Sequence, residues 1–422
     1  MLRKVLIFLL AGSAGLMPTA QAAPRTPAPA CVPAAGVSEV ACSSGVIGLP
    51  ITNPTGPEGN GYTPSDIASI YHLKGGRPGL VTILATAQSL PAAVIDHDIT
   101  TYRAAFHLPP CTLASGCLQV HDLQATDPTT VEVAAETNTD LEIELDLEGA
   151  SAACPGCRLQ LVRGGEGRLQ NFEPVLVQAV QEAIKTYHAR VISMSFGFNT
   201  EYPTDAAYSK VFHHPGVTFT GANGDSGNGT SLGYPVTSPD VIDVGGTSVT
   251  KVGNRWVTHG WEGTGSGCSK NIPMPAYQQH LHLAKCHGRA VTDVAALADP
   301  GTPLAVYIEG IWRPVAGTSL AAPLVAAMIA RAGGEGLTPA DLYRDPRGLT
   351  DVTTGVSNEA CADPGGNCVS DLFPQTKPVY QSAHAPCDPS PVFCRPGKGW
   401  DGETGLGTPQ DLSAFTSSKA RR

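Results

Sequence analysis

The segment Gly317-Thr318-Ser319-Leu320-Ala321-Ala322-Pro323 runs into the apolar stretch Leu324 to Ala330, which puts Ser319 where a turn enters a buried helix. A hydroxyl in that position can serve as a nucleophile, because the free N–H groups of a helix start favour the negative charge that develops as an acyl carbon is attacked. The same position suits Thr318 or Ser319 as a simple helix cap, and the segment alone leaves both readings open. A serine hydroxyl also needs a base. None of the 12 histidines stands in an H-G-T segment of the kind that supplies one, and His97, His188, His213 and His214 have other company.

Carboxylates are the alternative. In Glu142-Ile143-Glu144-Leu145-Asp146-Leu147-Glu148, Glu142 and Asp146 are four residues apart and would share one face of a helix. Two carboxyl groups holding one proton raise one pKa into the range of a useful base. Taken by itself, strict alternation of acid and aliphatic fits a half-exposed strand better than a helix. Gly221-Ala222-Asn223-Gly224-Asp225-Ser226-Gly227 follows the apolar run Val217 to Thr220, at the strand end where open α/β sheets place their sites. The plain alternative is a tight loop with Asp225 as a cap. Gly-Asp-Ser-Gly also surrounds the nucleophile of trypsin-like proteases, but the T-A-A-H-C segment that would accompany Ser226 is missing. Near the C-terminus, Asp351-Val352 and Gly397-Lys398-Gly399-Trp400-Asp401 offer two carboxylates and several carbonyls, hard ligands suited to calcium rather than a transition metal.

The elements that must position these residues are legible as alternating patterns. Val81–Ala85, Leu159–Val162, Val191–Ser195, Val217–Thr220 and Val241–Val244 read as buried strands, while Leu176, Val180, Ala183, Ile184 and Tyr187 recur at helical spacing after Pro174. Strand, helix and strand in repetition predict a doubly wound, mostly parallel sheet with helices on both faces. Of the 422 residues 42% are hydrophobic and 15% charged, enough for one large core. A net charge of -10 argues against nucleic acid or an anionic membrane as partner.

Residues 1–22, with Arg3 and Lys4 ahead of an apolar run and Ala20-Gln21-Ala22 behind it, read as a signal peptide, so an extracellular, secreted protein is expected with no membrane contact once the signal is removed. Residues 23–45, rich in Ala, Pro and Ser, read as a tether, 46–415 as a single domain, and 416–422 as a polar tail. The 12 cysteines fall into neighbours 31/42, 111/117, 154/157, 268/286, 361/368 and 387/394, which in an exported chain predict local disulfides rather than a redox pair or a zinc site. Residues 356–396 break the strand–helix rhythm and read as a disulfide-stapled surface insertion.

Taken in order, these segments resemble the sedolisin family of serine-carboxyl peptidases, relatives of subtilisin. The likeness runs from Tyr62-Thr63-Pro64-Ser65-Asp66-Ile67 to Thr404-Gly405-Leu406-Gly407-Thr408-Pro409, through Ser195-Phe196-Gly197, Gly224-Asp225-Ser226-Gly227, Tyr234-Pro235, Gly245-Gly246-Thr247, Gly265-Ser266-Gly267-Cys268-Ser269 and Gly317-Thr318-Ser319. The resemblance implies a subtilisin-like fold in a single catalytic domain, with Ser319 as nucleophile, Glu142 as general base, Asp146 as its partner and Asp225 as a protonated oxyanion-hole donor. It implies a substrate cleft along Ser195, Phe196 and Gly197, and one structural Ca2+ held by Asp351, Asp401 and the carbonyls of Val352, Gly397 and Gly399. A monomer acting on proteins or peptides in acid is expected; a catalytically weak peptide-binding relative, a tripeptidyl-peptidase, or another hydrolase using Ser319 are the competing readings. Three departures stand out. Only residues 23–45 separate the signal from the domain, where the family carries a long prosegment. The first core strand ends in Ala85 instead of an acid, and Phe196 replaces a tryptophan, so two side chains that would support the acid pair are gone.

Overall fold

The computed structural model describes residues 40–42, 45–46, 55–85, 90–123, 137–164, 172–198, 201–225, 227–228, 232–355, 387 and 389–416. The expected signal peptide, most of the tether, residues 356–386 of the insertion and the polar tail lie outside them. The strands are β1 (Val40–Cys42), β2 (Gly45–Val46), β3 (Leu80–Ala85), β4 (Leu118–Asp122), β5 (Arg158–Arg163), β6 (Val191–Met194), β7 (Phe196–Phe198), β8 (Thr218–Ala222), β9 (Ile242–Val252), β10 (Arg255–Gly260), β11 (Gly267–Pro273), β12 (Gly288–Val291), β13 (Val294–Leu297), β14 (Leu304–Ile308) and β15 (Ile311–Ala316). The helices are α1 (Pro64–Ile70), α2 (Ala92–Ala105), α3 (Thr137–Ala153), α4 (Phe172–Lys185), α5 (Asp205–Tyr208), α6 (Thr318–Ala332) and α7 (Pro339–Arg344).

The central sheet runs β10-β9-β8-β6-β3-β5-β4, with β13 also paired to β9. Every pairing is parallel except β10 with β9. Successive residues of its strands face opposite sides, so the buried runs seen in the sequence supply two cores. Val81, Ile83, Leu159 and Leu161 join α1, α2, α3 and α6 on one face, while Leu84, Val162, Ile192 and Met194 meet Leu176, Val180 and Ala183 of α4 on the other. Pro174 falls in the first turn of α4, where its missing N–H costs nothing. Helix α6 is buried along residues 318–330, as expected of a helix apolar on all sides. Each fully buried side chain such as Leu324 or Ile329 contributes about 1.5–3 kcal/mol.

One open reading is decided and one expectation changes. The alternating segment 142–148 is not a strand: it lies inside α3. Its alternation has no exposed side, because α6 covers the Glu142/Asp146 face and α2 with β14 covers the Glu144/Glu148 face. Gly149 lets α3 approach α6, since a Cβ there would already sit 3.4 Å from Leu320 and 3.5 Å from Pro323. The end of the tether is also structured: β1 pairs antiparallel with β7, and β2 with the end of β15. Edge pairing runs on backbone hydrogen bonds, so it leaves no side-chain periodicity to read.

Candidate active site

The carboxyl ends of β3, β6 and β8 open on one side of the sheet, where parallel α/β folds place their sites. Ser195 follows β6, Asp225 follows β8, and Ser319 is the second residue of α6. Gly317 is the N-cap of that helix at φ 108°, a conformation that favours glycine, and it supplies no side-chain cap. Thr318 and Ser319 are therefore within the helix and the capping alternative falls away. Ser319 Oγ is buried and has no hydrogen-bond partner among the described residues, so no histidine activates it.

Carboxyl groups are held by the residues next to it instead. Asp225 Oδ1 accepts from Thr318 N–H and from Thr318 Oγ1, both at 2.8 Å, and Thr318 Oγ1 in turn accepts from Gly224 N–H at 2.8 Å. Both bonds to Asp225 end on Oδ1, which leaves Oδ2 as the oxygen able to carry a proton. Burial pushes the Asp225 carboxyl up to about 8, against the opposing pull of the Thr318 donors and with a smaller push from the Glu142 charge. Asp146 on α3 lies well above the usual carboxylate range, first because it is buried and next because Glu142 is beside it; the hydroxyl of Ser195, 2.6 Å away, works the other way. Glu142 is thus within electrostatic reach of both Asp146 and Asp225. The structure brings Glu142, Asp146, Asp225 and Ser319 together.

The cleft residues behave differently from one another. Ser195 is 1% exposed and its hydroxyl points into the acid pair, not into a cleft. Phe196 is 5% exposed and packs in the second core with Leu176 and Tyr234, so its ring is not an open apolar wall. Gly197 remains as backbone, half-buried, with Tyr234 O 3.4 Å from where a Cβ would stand. The edge that these residues form does take an extended strand: Ala41 sits opposite Gly197 and Cys42 opposite Phe196. Thr318 is the functional residue the sequence reading passed over, since the Gly-Thr-Ser string advertised its serine and not the bond its threonine makes to a loop 93 residues earlier.

At the C-terminal end, the Asp351 and Asp401 carboxylates both bond to the turn 397–401. Asp351 Oδ2 accepts from Gly399 N–H at 2.9 Å, and Asp401 Oδ2 from Gly397 N–H at 3.0 Å. Asp401 is fully buried and its carboxyl is pushed up to about 7 by that burial, against four donors from Gly397, Glu403 and Thr404. Two carboxylates on glycine-rich turns fit a hard cation in donor type. Among the described residues no group of three His, Cys, Asp or Glu side chains could hold a metal, so carbonyls would have to complete the shell. Disulfides 111/117, 154/157, 268/286 and 387/394 are formed as expected; of the remaining two pairs, Cys31, Cys361 and Cys368 lie outside the described residues.

A parallel sheet with a buried helix that starts on Gly-Thr-Ser and carries its serine at the strand ends defines the subtilisin-like class of α/β folds. The chain belongs to the subtilase family, whose profile matches residues 130–343, and within it to the sedolisins. It is 27% identical over 383 residues to kumamolisin of Bacillus sp. (strain MN-32), covering 82% of this chain and 62% of that protein. It is likewise 27% identical over 395 residues to human tripeptidyl-peptidase 1, covering 83% and 63%. The chain therefore spans less than two thirds of either relative. Among solved structures it is similar to a Pseudomonas sedolisin, described as a serine-carboxyl proteinase complexed with pseudo-iodotyrostatin, with a TM-score of 0.62 and 21% identity over 83% of this chain and 96% of that one.

Proposed function

We propose that this chain is a secreted serine-carboxyl endopeptidase that hydrolyses proteins or peptides in acid. Ser319 Oγ attacks the scissile carbonyl, Glu142 takes its proton with Asp146 sharing the load, and Asp225 Oδ2–H with the Ser319 N–H, an unfilled donor of the first helical turn, holds the oxyanion. Edge strand β7 offers its backbone to an extended substrate, in the way it already receives β1. The observation that carries the reading is Asp225, whose Oδ1 is held by Thr318 while burial keeps the other oxygen protonated. Family likeness supports export, as do four disulfides. Among the described residues no helix is long and apolar enough to cross a membrane. A monomer is the assembly this reading takes.

A donor that must be protonated ties activity to pH. The catalytic form exists below the pKa of Asp225 and is lost as pH rises through about 8. Asp225→Asn keeps the shape, with its carbonyl taking the Thr318 bonds and its NH2 replacing the acid proton, so the fall on the alkaline side should move up or vanish. Asp225→Ala should lower kcat by about 10²–10³-fold at every pH. Rate profiles on denatured haemoglobin decide the matter, and an optimum at neutral or alkaline pH in the unaltered protein would sink the reading. Sequencing products from an unbiased peptide mixture separates internal cleavage from tripeptide release, the activity named for the human relative.

A calcium ion would be held by the Asp351 and Asp401 carboxylates with the carbonyls of Val352, Gly397 and Gly399, fixing the C-terminal turns without entering the chemistry. Chelation is expected to lower Tm by about 5–10 °C and added calcium to restore it. An identical melting curve with and without chelator would remove the ion from this account.

A further inference from the structure

We propose that Ser195 is a positioning residue for the acid pair, whose single hydroxyl hydrogen moves between Asp146 Oδ1 and the Ser319 carbonyl oxygen as the proton on Asp146 comes and goes. The inference rests on the peptidase reading above and names a part of that site which family likeness does not assign to it. Ser195 Oγ lies 2.6 Å from Asp146 Oδ1 and 3.3 Å from Ser319 O, with the side chain 1% exposed. One hydrogen faces two acceptors, and each has a reason to want it.

The carbonyl of Ser319 is short of a donor because of the residue four positions on. In an α-helix that donor is the N–H of residue 323, and residue 323 is Pro, which has none. Ser195 Oγ is the group placed against the orphaned oxygen. Asp146 is short of donors for a different reason. Ala85 and Phe196 offer it no polar atom, and among the described residues Ser195 is the one side chain that donates to it.

Two arrangements of the same atoms follow. With Asp146 ionised, Ser195 O–H donates to Oδ1 across the shorter gap. When Asp146 takes the proton it shares with Glu142 and carries it on Oδ1, that O–H donates to Ser195 Oγ, and the Ser195 hydrogen turns to Ser319 O. No heavy atom moves and no proton is gained or lost by Ser195. The protonation of the acid pair is thereby linked to the backbone of the nucleophile's own turn, which fixes the direction of Ser319 Oγ.

The test is the pH profile of Ser195→Ala. Loss of the donor to ionised Asp146 makes that form harder to reach, so the acid limb of kcat/KM is expected to move up by about one pH unit or more. At the optimum kcat should fall about tenfold with KM unchanged, and Ser195→Thr, which keeps the hydroxyl, should bring both back. If alanine prevents folding, Ser195→Cys, a similar volume with a weak donor, should give an intermediate shift. A limb that stays in place, or a rise in KM alone, overturns the proposal and makes Ser195 a packing or cleft residue. An unaltered protein that cleaves nothing at any pH sinks the peptidase reading instead. Even then the acid pair can be followed by melting: Ser195→Ala should lose more Tm relative to the unaltered protein above the range where Asp146 ionises, where a bond to a charged oxygen is lost, than below it, where neutral bonds are lost, and parallel melting curves at all pH values overturn the proposal.

Discussion

Ser319→Ala is expected to abolish cleavage, lowering kcat by about 10³–10⁶-fold, while the protein stays folded. The substitution removes an Oγ that has no hydrogen-bond partner among the described residues and adds nothing to a site fully closed around it, so its melting curve should barely change. Glu142→Gln should fall as far, because a serine hydroxyl without a base is a poor nucleophile and among the described residues no histidine is placed to replace it. The double variant should be no worse than the worse single one, as groups acting in one proton transfer fail together. Measured turnover on a protein substrate in acid, beside circular dichroism of each variant, gives the answer. If Ser319→Ala still cleaves, the nucleophile is wrong. If Glu142→Gln keeps its rate while Ser319→Ala does not, the base is another group. A peptide-binding protein without activity would leave all three indistinguishable.

The second large effect is on stability and comes from the other face of α3. Glu144 and Glu148 stand two residues from Glu142 and Asp146, about 200° around the helix, and both are fully buried. They face Asp98 and Tyr102 of α2, Asp140 of their own helix, and β14 with the Glu309 that follows it. Only Glu148 Oε2 has a donor, Tyr307 N–H at 2.8 Å, and the two oxygens of Glu144 have none among the described residues. Both acids are held well above the usual carboxylate range, chiefly by burial and then by neighbouring charge: Asp98 first for Glu144, Glu144 for Glu148. The sign follows from linkage. A carboxyl whose folded pKa is raised is more easily protonated in the native state, so its contribution is complete below the unfolded value near 4.5 and is lost as pH rises through the folded one.

With Asp146 and Asp225 shifted the same way, the fold should be most stable in acid and weaken toward alkaline pH. Each such acid costs about 1.4 kcal/mol of stability per pH unit between its unfolded and its folded pKa, and no more once the folded form has ionised. Glu144→Gln removes one such charge at constant shape. It is expected to leave Tm near pH 4 almost unchanged and to raise it at pH 8 by about 3–6 °C. Scanning Tm against pH for both proteins tests this, and a melting temperature that rises with pH in the unaltered chain would refute it. The same acids then set where the protein can work.

Much of this was legible beforehand, and what was legible was local. The strands announced themselves as short apolar runs because both sheet faces are covered, and four disulfides close between cysteines at most 18 residues apart. The serine of Gly317-Thr318-Ser319 and the four-residue step from Glu142 to Asp146 are likewise facts about neighbours in the chain. The state of 142–148 was not of that kind. Acid and aliphatic alternate there as in an edge strand, and helix wins because α2, α6 and β14 bury every side of it, which no window of seven residues can reveal.

Partners across the fold were the remaining gap. Ser195 meets Asp146 from 49 residues away and the Ser319 carbonyl from 124, while Asp225 meets Thr318 from 93. Nothing in the residues beside Ser195 distinguishes a side chain turned inward from one lining a cleft, and the string Ser195-Phe196-Gly197 reads most simply as the latter. The sequence by itself determined which groups could do chemistry, since nucleophile, acids and oxygen ligands are properties of residue type and close spacing. Tertiary structure decided which of them share a proton or a donor, because burial and hydrogen bonding are set by whatever the folded chain brings alongside.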